Sequence, residues 1–278
     1  METQAQVKKA QSAGSAMPNF TIQARAAGMT PGPQSAAEKA MRKDLAACYR
    51  LVAHFGWDDL IATHISARVP AEPDAFLLNP FGWTFDEITP ECLIKVNLAG
   101  EIISETPYAV NRAGFVIHSA IHEVRHDASC VIHLHTRDGI AVSCLAEGLM
   151  PLNQRSIPAV EDLAYHDYEG PATDADERRR LQNDLGAKNA LILRNHGTLA
   201  LGTSVPAAFY RMRRLEQSCS LQVQILGMGR QLHLPSDESL ANTRAQLHPN
   251  QSDVTAETVA WPALMRKLER AGKLPAWD

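Results

Sequence analysis

Two histidines separated by a single residue are the first feature of this sequence that could do chemistry. His133 and His135 lie in Val131-Ile-His-Leu-His-Thr136, whose apolar residues are typical of a buried strand. Because side chains alternate along a strand, both imidazoles would point to one face while Ile132 and Leu134 point to the other. Imidazole is a common ligand of divalent transition metals. The pair therefore predicts two ligands of one metal ion, against the alternative of two polar residues on a solvent-facing strand edge.

A third imidazole comes from a distant part of the chain. His196 lies in Leu193-Arg-Asn-His-Gly197, at the end of another apolar run, and Gly197 permits a tight turn and close approach of the backbone. Three protein ligands with one open position are the pattern of catalytic zinc sites. The long spacing from the first pair leaves open whether the three side chains converge, so His133, His135 and His196 are candidate metal ligands.

The elements that would position these histidines follow from the spacing of the apolar residues. Ser35 and Glu38 have the spacing of a capping box ahead of a helix that ends at Gly56. Short β-like runs follow between 61 and 98, and helical spacing returns from Gly114 to Val124. The remaining predicted elements are strands at 130–135, 190–193 and 198–201 and a long helix that begins after Ser204 and ends at Gly227. The pattern predicts one α/β domain.

The two ends of the chain differ from this domain. Residues 1–34 are rich in small and polar residues and proline and lack apolar periodicity, so we expect a flexible N-terminal arm. Residues 35–230 form the predicted domain. Residues 231–278 form a predicted C-terminal extension, with a short amphipathic helix from Val259 to Leu268.

Composition excludes several classes of function. The 278 residues include 27 basic and 31 acidic side chains, a net charge of −4, and 45% are hydrophobic. Such a chain can bury a core, which excludes disorder of the whole chain, and its charge disfavours nucleic acid as a partner. The five cysteines form no CxxC pair, and no apolar run approaches the roughly 20 residues of a membrane helix. We therefore expect a cytoplasmic protein that binds neither nucleic acid nor a membrane.

Several short motifs occur in a fixed order along the chain. They are Thr63-His-Ile-Ser66, Leu78-Asn-Pro-Phe-Gly82, Ala113-Gly-Phe-Val-Ile-His-Ser-Ala-Ile121 and the two histidine segments described above. In this order they resemble the class II aldolase/adducin family, and its adducin-like branch in particular. The resemblance covers about 35 to 229, and the order of several motifs makes it more specific than any one of them.

The resemblance implies a fold, an assembly and a metal. It implies a three-layer α/β/α domain with a central, mostly antiparallel sheet, a homotetramer, and an active site near a subunit interface. It also implies that His133, His135 and His196 hold one divalent ion, with zinc expected first and iron or manganese as alternatives. In the family the ion polarises a carbonyl group of a small-molecule substrate, and a glutamate before the HxH strand moves the proton.

The sequence departs from the family at the position of that glutamate. His118 matches the family's histidine that follows the glutamate by four residues, and counting back from it places Gly114 at the glutamate position. Glycine can neither accept a proton nor bind an ion. The usual base for aldol proton transfer is therefore missing, and His118 and Glu161 are candidate catalytic residues.

The family's phosphate-binding positions have also changed. Its Gly-Asn pair is Thr63-His64 here, its Ser-Gly turn is Phe81-Gly82, and its serine pair is Arg112-Ala113. A phenyl ring cannot hydrogen-bond a phosphate oxygen, so a phosphorylated sugar is not the expected substrate. The candidate substrate-binding residues are His64, Phe81, Gly82 and Arg112.

These departures leave two readings of the function. In the first, the protein is a metal-dependent lyase that cleaves or decarboxylates an unphosphorylated hydroxy or keto acid, or a related carbonyl compound, through a metal-stabilised enolate. A non-haem iron oxygenase on the same fold is an alternative. In the second, the protein is a non-catalytic, adducin-like assembly module.

Overall fold

The computed structural model describes residues 21–22, 34–170, 175–247 and 249–277. The strands are β1 (Thr21–Ile22), β2 (His64–Val69), β3 (Glu72–Leu78), β4 (Ile94–Asn97), β5 (Val110–Asn111), β6 (Cys130–Leu134), β7 (Leu163–His166), β8 (Ala190–Leu193) and β9 (Gly197–Gly202). The helices are α1 (Ala36–His54), α2 (Arg112–Val124), α3 (Arg137–Ser143), α4 (Ser156–Glu161), α5 (Ala175–Leu185), α6 (Val205–Gly227), α7 (Asp237–Ala245), α8 (Pro249–Thr255) and α9 (Trp261–Arg270). A 3₁₀ turn spans Phe85–Glu87, and a π-helical segment, Ala256–Ala260, joins α8 to α9.

Seven strands form the central sheet in the order β4-β3-β2-β6-β9-β8-β7. All neighbouring pairs are antiparallel except β7 and β8, which are parallel. The short strands β1 and β5 form a separate antiparallel pair. The prediction of a mostly antiparallel central sheet is therefore confirmed.

Helices cover both faces of the sheet, and the side-chain alternation of the strands decides which residues meet them. Ile132 and Leu134 of β6 pack into a core with residues of α1, α6 and α9. Val131, which points to the opposite face, packs with residues of α2 and α5. The predicted three-layer α/β/α arrangement is confirmed, and His133 lies on the face of the sheet that carries α2.

Local signals placed several helix boundaries correctly. The Ser35 hydroxyl accepts a hydrogen bond from the Glu38 backbone N–H at 3.1 Å and begins α1. Glu38 does not complete the capping box, because its carboxylate is buried in ion pairs with Arg42 at 2.9 Å and Lys95 at 2.8 Å. Ser204 begins α6 in the same way as Ser35 begins α1.

The ends of the chain are described in part. The arm expected over 1–34 lies outside the described residues apart from 34 and the strand β1, which pairs with β5. In the C-terminal extension, the predicted amphipathic stretch forms α9, whose Trp261 and Leu268 are buried in the main core. Among the described residues, no helix has the length and apolarity to cross a membrane.

The segments that carry the histidines meet at one edge of the sheet, the edge that is formed by the ends of the strands and not by an outer strand. His64 begins β2 and lies opposite His133, the penultimate residue of β6. The turn from β8 to β9 lies at the same edge, because Thr198 of β9 lies opposite Leu134. Strand β7 also ends there, since His166 lies opposite Leu193 in parallel β8.

Candidate metal centre

Three imidazole nitrogens converge at this edge of the sheet. The Nε2 atom of His135 lies 3.0 Å from Nε2 of His133 and 2.9 Å from Nε2 of His196. His133 is buried, and the other two histidines are partly buried. The three candidate ligands from distant parts of the sequence thus meet in the fold.

The turn before β9 brings His196 to the other two histidines. Asn195 adopts the left-handed conformation with φ +57°, which reverses the chain after β8. Next to it, a Cβ atom at Gly197 would collide with the Leu134 carbonyl oxygen and lie 3.1 Å from Cδ2 of His135. Only glycine permits this approach of β9 to the end of β6, which is the role expected of Gly197.

The outer hydrogen bonds fix the tautomers of two of these rings. His133 Nδ1 lies 3.0 Å from the Thr198 carbonyl oxygen, and His135 Nδ1 lies 3.1 Å from Oδ2 of Asp59. A carbonyl and a carboxylate only accept, so each Nδ1 carries the hydrogen and each Nε2 presents a lone pair. Burial and neighbouring imidazoles lower the pKa of His133 well below its usual value and that of His196 to about 4, which keeps both rings neutral.

This arrangement fits a divalent metal ion. Lone pairs that face one another at about 3 Å repel unless a cation lies between them. A tetrahedral ion with bonds of about 2.0–2.1 Å to nitrogen would hold two such atoms about 3.3–3.4 Å apart, close to the separations found here. His133, His135 and His196 would be its ligands.

Asp59 holds His135 in position, so its removal should weaken metal binding. The change Asp59→Asn should raise the dissociation constant for zinc about 10- to 100-fold, because the carboxylate that orients a ligating imidazole is lost. Competition with a chromophoric chelator measures this. Asp58→Asn removes the same charge one residue away and is the control; an equal loss in both variants would indicate a general charge effect and contradict the assigned role of Asp59.

A buried carboxyl group supports the segments that carry His133 and His135. Glu216 of α6 accepts hydrogen bonds from the hydroxyls of Thr136 and Thr198. Thr136 follows His135 directly, and Thr198 also provides the carbonyl that binds His133. Complete burial raises the pKa of Glu216 to about 7, although the two hydroxyl hydrogen bonds act in the opposite direction.

The raised pKa of Glu216 predicts a pH dependence of stability. In the unfolded chain this carboxyl ionises near its usual pKa of 4.5, whereas the folded protein holds its proton up to about pH 7. The unfolded state therefore binds fewer protons between these values, and the free energy of unfolding should decrease as pH rises from about 4.5 to 7 and level off above. Glu216→Gln should remove this contribution, so urea unfolding of both proteins at pH 5, 6, 7 and 8 should show the variant gaining relative stability as pH rises. A constant difference between the two proteins would contradict the prediction.

Helix α2 approaches β2 so closely at Gly114 that a side chain there would collide with His64. A Cβ atom at Gly114 would lie 2.5 Å from His64 Nε2. His64 is buried, and its ring centroid is 5.4 Å from that of His133. The imidazole of His64 thus occupies the space into which a side chain at position 114 would extend.

A chain of buried polar groups leads away from His64 along α2. His64 Nδ1 lies 3.0 Å from His118 Nε2, and His118 Nδ1 lies 2.6 Å from the Ser66 hydroxyl. The same hydroxyl lies 2.8 Å from His122 Nε2, and His122 Nδ1 lies 3.2 Å from the Ala128 carbonyl oxygen. We call these four side chains the imidazole chain. His118, a candidate catalytic residue, contacts His64 and Ser66 within it.

The last contact of the imidazole chain determines the direction of its hydrogen bonds. The Ala128 carbonyl can only accept, and at 3.2 Å it lies closer to His122 Nδ1 than the Arg68 guanidinium, at 3.4 Å. His122 therefore carries its hydrogen on Nδ1 and accepts from Ser66, which in turn accepts from His118 Nδ1. His118 Nε2 then accepts from His64 Nδ1, which leaves a lone pair on His64 Nε2. Burial lowers the pKa of His122 to about 3 and the pKa values of His118 and His64 well below their usual value, so each neutral ring has one N–H.

Three other candidate substrate-binding residues lie around this site. Phe81 and Gly82 follow β3, which ends at the sheet edge where β2 begins. The Phe81 N–H donates to the Ala109 carbonyl at 2.8 Å, and Gly82 has φ +88°. Arg112 is the exposed first residue of α2. Phe81 and Gly82 therefore border this edge, while Arg112 faces solvent.

The structure does not bring Glu161 to the histidines. Glu161 ends α4 just before β7, at the opposite end of that strand from His166. Its carboxylate forms an ion pair with Arg244 at 2.6 Å. Glu161 therefore does not lie at the histidine centre, because it stands at the opposite end of β7 from His166.

Sequence reasoning missed Asp59, Glu216 and the polar partners of His118. Asp59 is 76 positions from His135, and no periodic pattern connects two such residues. His166 and Asp184 also form an unforeseen pair at 2.7 Å.

Comparisons with known proteins give consistent matches over most of the chain. The family model described as "Class II Aldolase and Adducin N-terminal domain" matches residues 43–223. A Pseudomonas aeruginosa protein provisionally named an aldolase class 2 protein is 51% identical over 239 residues, which are 85% of this chain and 92% of that protein. Mouse alpha-adducin is 45% identical over 192 residues, 68% of this chain but 26% of the adducin. The solved L-fuculose 1-phosphate aldolase of Glaciozyma antarctica is 30% identical with a TM-score of 0.72, covering 87% of this chain and 95% of that one.

Proposed function

This chain belongs to the class II aldolase and adducin family, and from that premise we propose that it is a metal-dependent lyase. Its substrate is an unphosphorylated hydroxy or keto acid or a related carbonyl compound, and its reaction is aldol cleavage or decarboxylation through an enolate. The observation that carries the proposal is the convergence of three imidazoles whose Nε2 atoms face one point. A cation at that point would satisfy these nitrogens together.

In this proposal one set of residues binds the metal ion and another residue accepts the proton. His133, His135 and His196 would be the ligands, with zinc as the first expectation and iron or manganese as alternatives. A divalent ion there would act as a Lewis acid that polarises the substrate carbonyl and stabilises the enolate. Asp59 and the Thr198 carbonyl hold the imidazoles in the orientation that this requires.

His64 is the group best placed to replace the family's glutamate. Its ring fills the space over Gly114, and the direction of the imidazole chain leaves a lone pair on its Nε2. In an aldol cleavage, the substrate hydroxyl would pass its proton to this nitrogen while the electrons of the breaking C–C bond form the enolate. His118 donates nothing to the substrate and acts by holding His64 in its tautomer.

A substrate screen on the zinc-loaded protein tests the proposal. We expect turnover of unphosphorylated hydroxy or keto acids and little cleavage of sugar phosphates, because Phe81 and His64 replace phosphate-binding residues. His64→Ala should lower kcat about 10²- to 10⁴-fold, the usual contribution of a positioned base. Efficient cleavage of fuculose 1-phosphate would refute the substrate class, and unchanged kcat in His64→Ala would refute the role of His64.

The second candidate function is a non-catalytic assembly module. The absence of the family's glutamate at Gly114, together with the similarity to alpha-adducin described above, favours it. Chelator-insensitive capture of filament or scaffold proteins, with no turnover of any carbonyl compound, would support this function over the lyase. We further propose that the chain forms a homotetramer, which light scattering on the purified protein tests.

A further inference from the structure

One further buried histidine near the metal centre, His166, has a polar atom without a partner among the described residues. His166 ends β7 and is 4% exposed. Its Nδ1 lies 2.7 Å from Oδ2 of Asp184, whereas its Nε2 is buried and has no hydrogen-bond partner in the described part of the chain. The nearest charged oxygen, Oε1 of Glu177, is 4.0 Å away, beyond hydrogen-bond distance. A buried nitrogen left in this state costs free energy unless a ligand or water satisfies it.

Asp184 decides which kind of group could satisfy His166. A carboxylate only accepts hydrogen bonds, so Nδ1 carries a hydrogen, and a ring without a second hydrogen presents a lone pair on Nε2. In that form the missing partner is a hydrogen-bond donor such as a hydroxyl. A carboxylate, a phosphate or a carbonyl oxygen could not satisfy it.

His166 borders the same small cavity as the metal-ligand candidate His196. The cavity measures about 10 Å³, room for one water-sized group. Ile117, Tyr168 and Leu193 form part of its wall together with the two histidines. Asp167, Glu169 and Glu177 also line it, and the one arginine of the lining, Arg194, donates to the Leu145 carbonyl. The charges around the cavity therefore disfavour an anion and favour a neutral donor.

We propose that this cavity is a subsite for a hydroxyl group of the substrate, with His166 Nε2 as its hydrogen-bond acceptor. The proposal rests on the proposed function, because it places the hydroxyl next to the group whose carbonyl binds at the histidine centre. It narrows the substrate class to carbonyl compounds with a hydroxyl close to that carbonyl. Asp184 is a positioning residue, since it sets the tautomer of His166 without touching the substrate.

Two hydroxamates that differ by one hydroxyl group test the subsite. Acetohydroxamate and glycolohydroxamate present the same metal-binding group, and only the second has a hydroxyl. Calorimetric titration of the zinc-loaded protein at pH 8 should show glycolohydroxamate binding about five- to tenfold more tightly, the contribution of one hydrogen bond to a buried acceptor. His166→Leu should abolish this preference and leave the affinity for acetohydroxamate unchanged.

A second pair of variants keeps the imidazole in place. Asp184→Leu removes the acceptor at Nδ1, which allows the hydrogen to move to Nε2, so the preference for glycolohydroxamate should be lost while the ring remains. Asp167→Asn removes the same charge from the cavity lining without contacting His166 Nδ1 and should keep the preference. This pair carries the test if His166→Leu does not fold.

The outcomes separate the subsite from the proposed function. Metal-dependent binding of both hydroxamates with equal affinity, or a preference that survives in His166→Leu or Asp184→Leu, would overturn the subsite and leave the metal centre standing. If neither hydroxamate binds the zinc-loaded protein more tightly than the metal-free protein, the proposed function fails and the subsite fails with it.

Discussion

Replacing His133 by alanine should reduce the bound metal from about one ion per chain to less than about a tenth of that amount. The physical reason is the number of ligands: the structure offers three converging Nε2 atoms among the described residues, and two imidazoles cannot hold a divalent ion against dialysis. His196→Ala should have the same effect, because His196 Nε2 lies 2.9 Å from His135 Nε2 even though the two residues are 61 positions apart in the sequence. Elemental analysis of untagged protein after reconstitution and dialysis measures it.

The control for this experiment is His126→Ala, which removes an exposed histidine of the loop between α2 and β6. It should keep the full metal content, and circular dichroism should show that all three variants remain folded. Undiminished metal in His133→Ala would refute the site. No metal in the reconstituted wild type would favour the assembly module, and iron in place of zinc would direct the substrate screen to oxygenase chemistry.

Adding one methyl group at Gly114 should destabilise the protein by about 3 kcal/mol, at the upper end of the usual cost of overpacking a core. The new Cβ would lie 2.5 Å from His64 Nε2, and His64 cannot move away without breaking its bond to His118. Urea unfolding of Gly114→Ala measures the loss. In the double variant Gly114→Ala, His64→Ala the collision is gone, so the added cost of the alanine at 114 should nearly vanish.

A second helical glycine provides the matched control. A Cβ at Gly227, the last residue of α6, meets nothing within 4 Å. Gly227→Ala should therefore leave stability unchanged or raise it by up to about 1 kcal/mol, the difference in helix propensity. The double-mutant cycle isolates the coupling between Gly114 and His64, and additive effects at these two positions would show that the ring does not fill the space.

This coupling bears on how the family's active site has changed in this chain. The resemblance places Gly114 at the family's glutamate position, and the neighbouring strand supplies an imidazole that occupies the space beside Gly114. The glycine at 114 and the histidine at 64 therefore depend on each other, since a side chain at 114 and the present position of the His64 ring exclude each other. A restored glutamate at 114 should be tolerated only together with a smaller residue at 64.

Local patterns in the sequence determined much of the fold. The alternation of apolar residues around Ile132 and Leu134 placed β6 and the face on which His133 lies, because the side-chain period of a strand is a property of its backbone. Ser35 and Ser204 marked the starts of α1 and α6, since a capping hydroxyl acts within one turn. The order of short motifs also identified the family, and with it the three-layer arrangement of helices and sheet.

Only the tertiary structure decided which distant side chains meet. The register of β2, β6 and β9 brings His64, His133 and His196 to one edge. Glu161 lies at the other edge, because it precedes β7 and β7 runs towards the histidines. Asp59 and the partners of His118 lack any sequence signal, because a hydrogen bond across 50 or more residues depends on the path of the whole chain. From the sequence alone, Gly114 indicates only that a base is missing. That His64 fills the space beside Gly114 follows only from the packing of α2 on β2, because steric exclusion depends on which residues are neighbours in space.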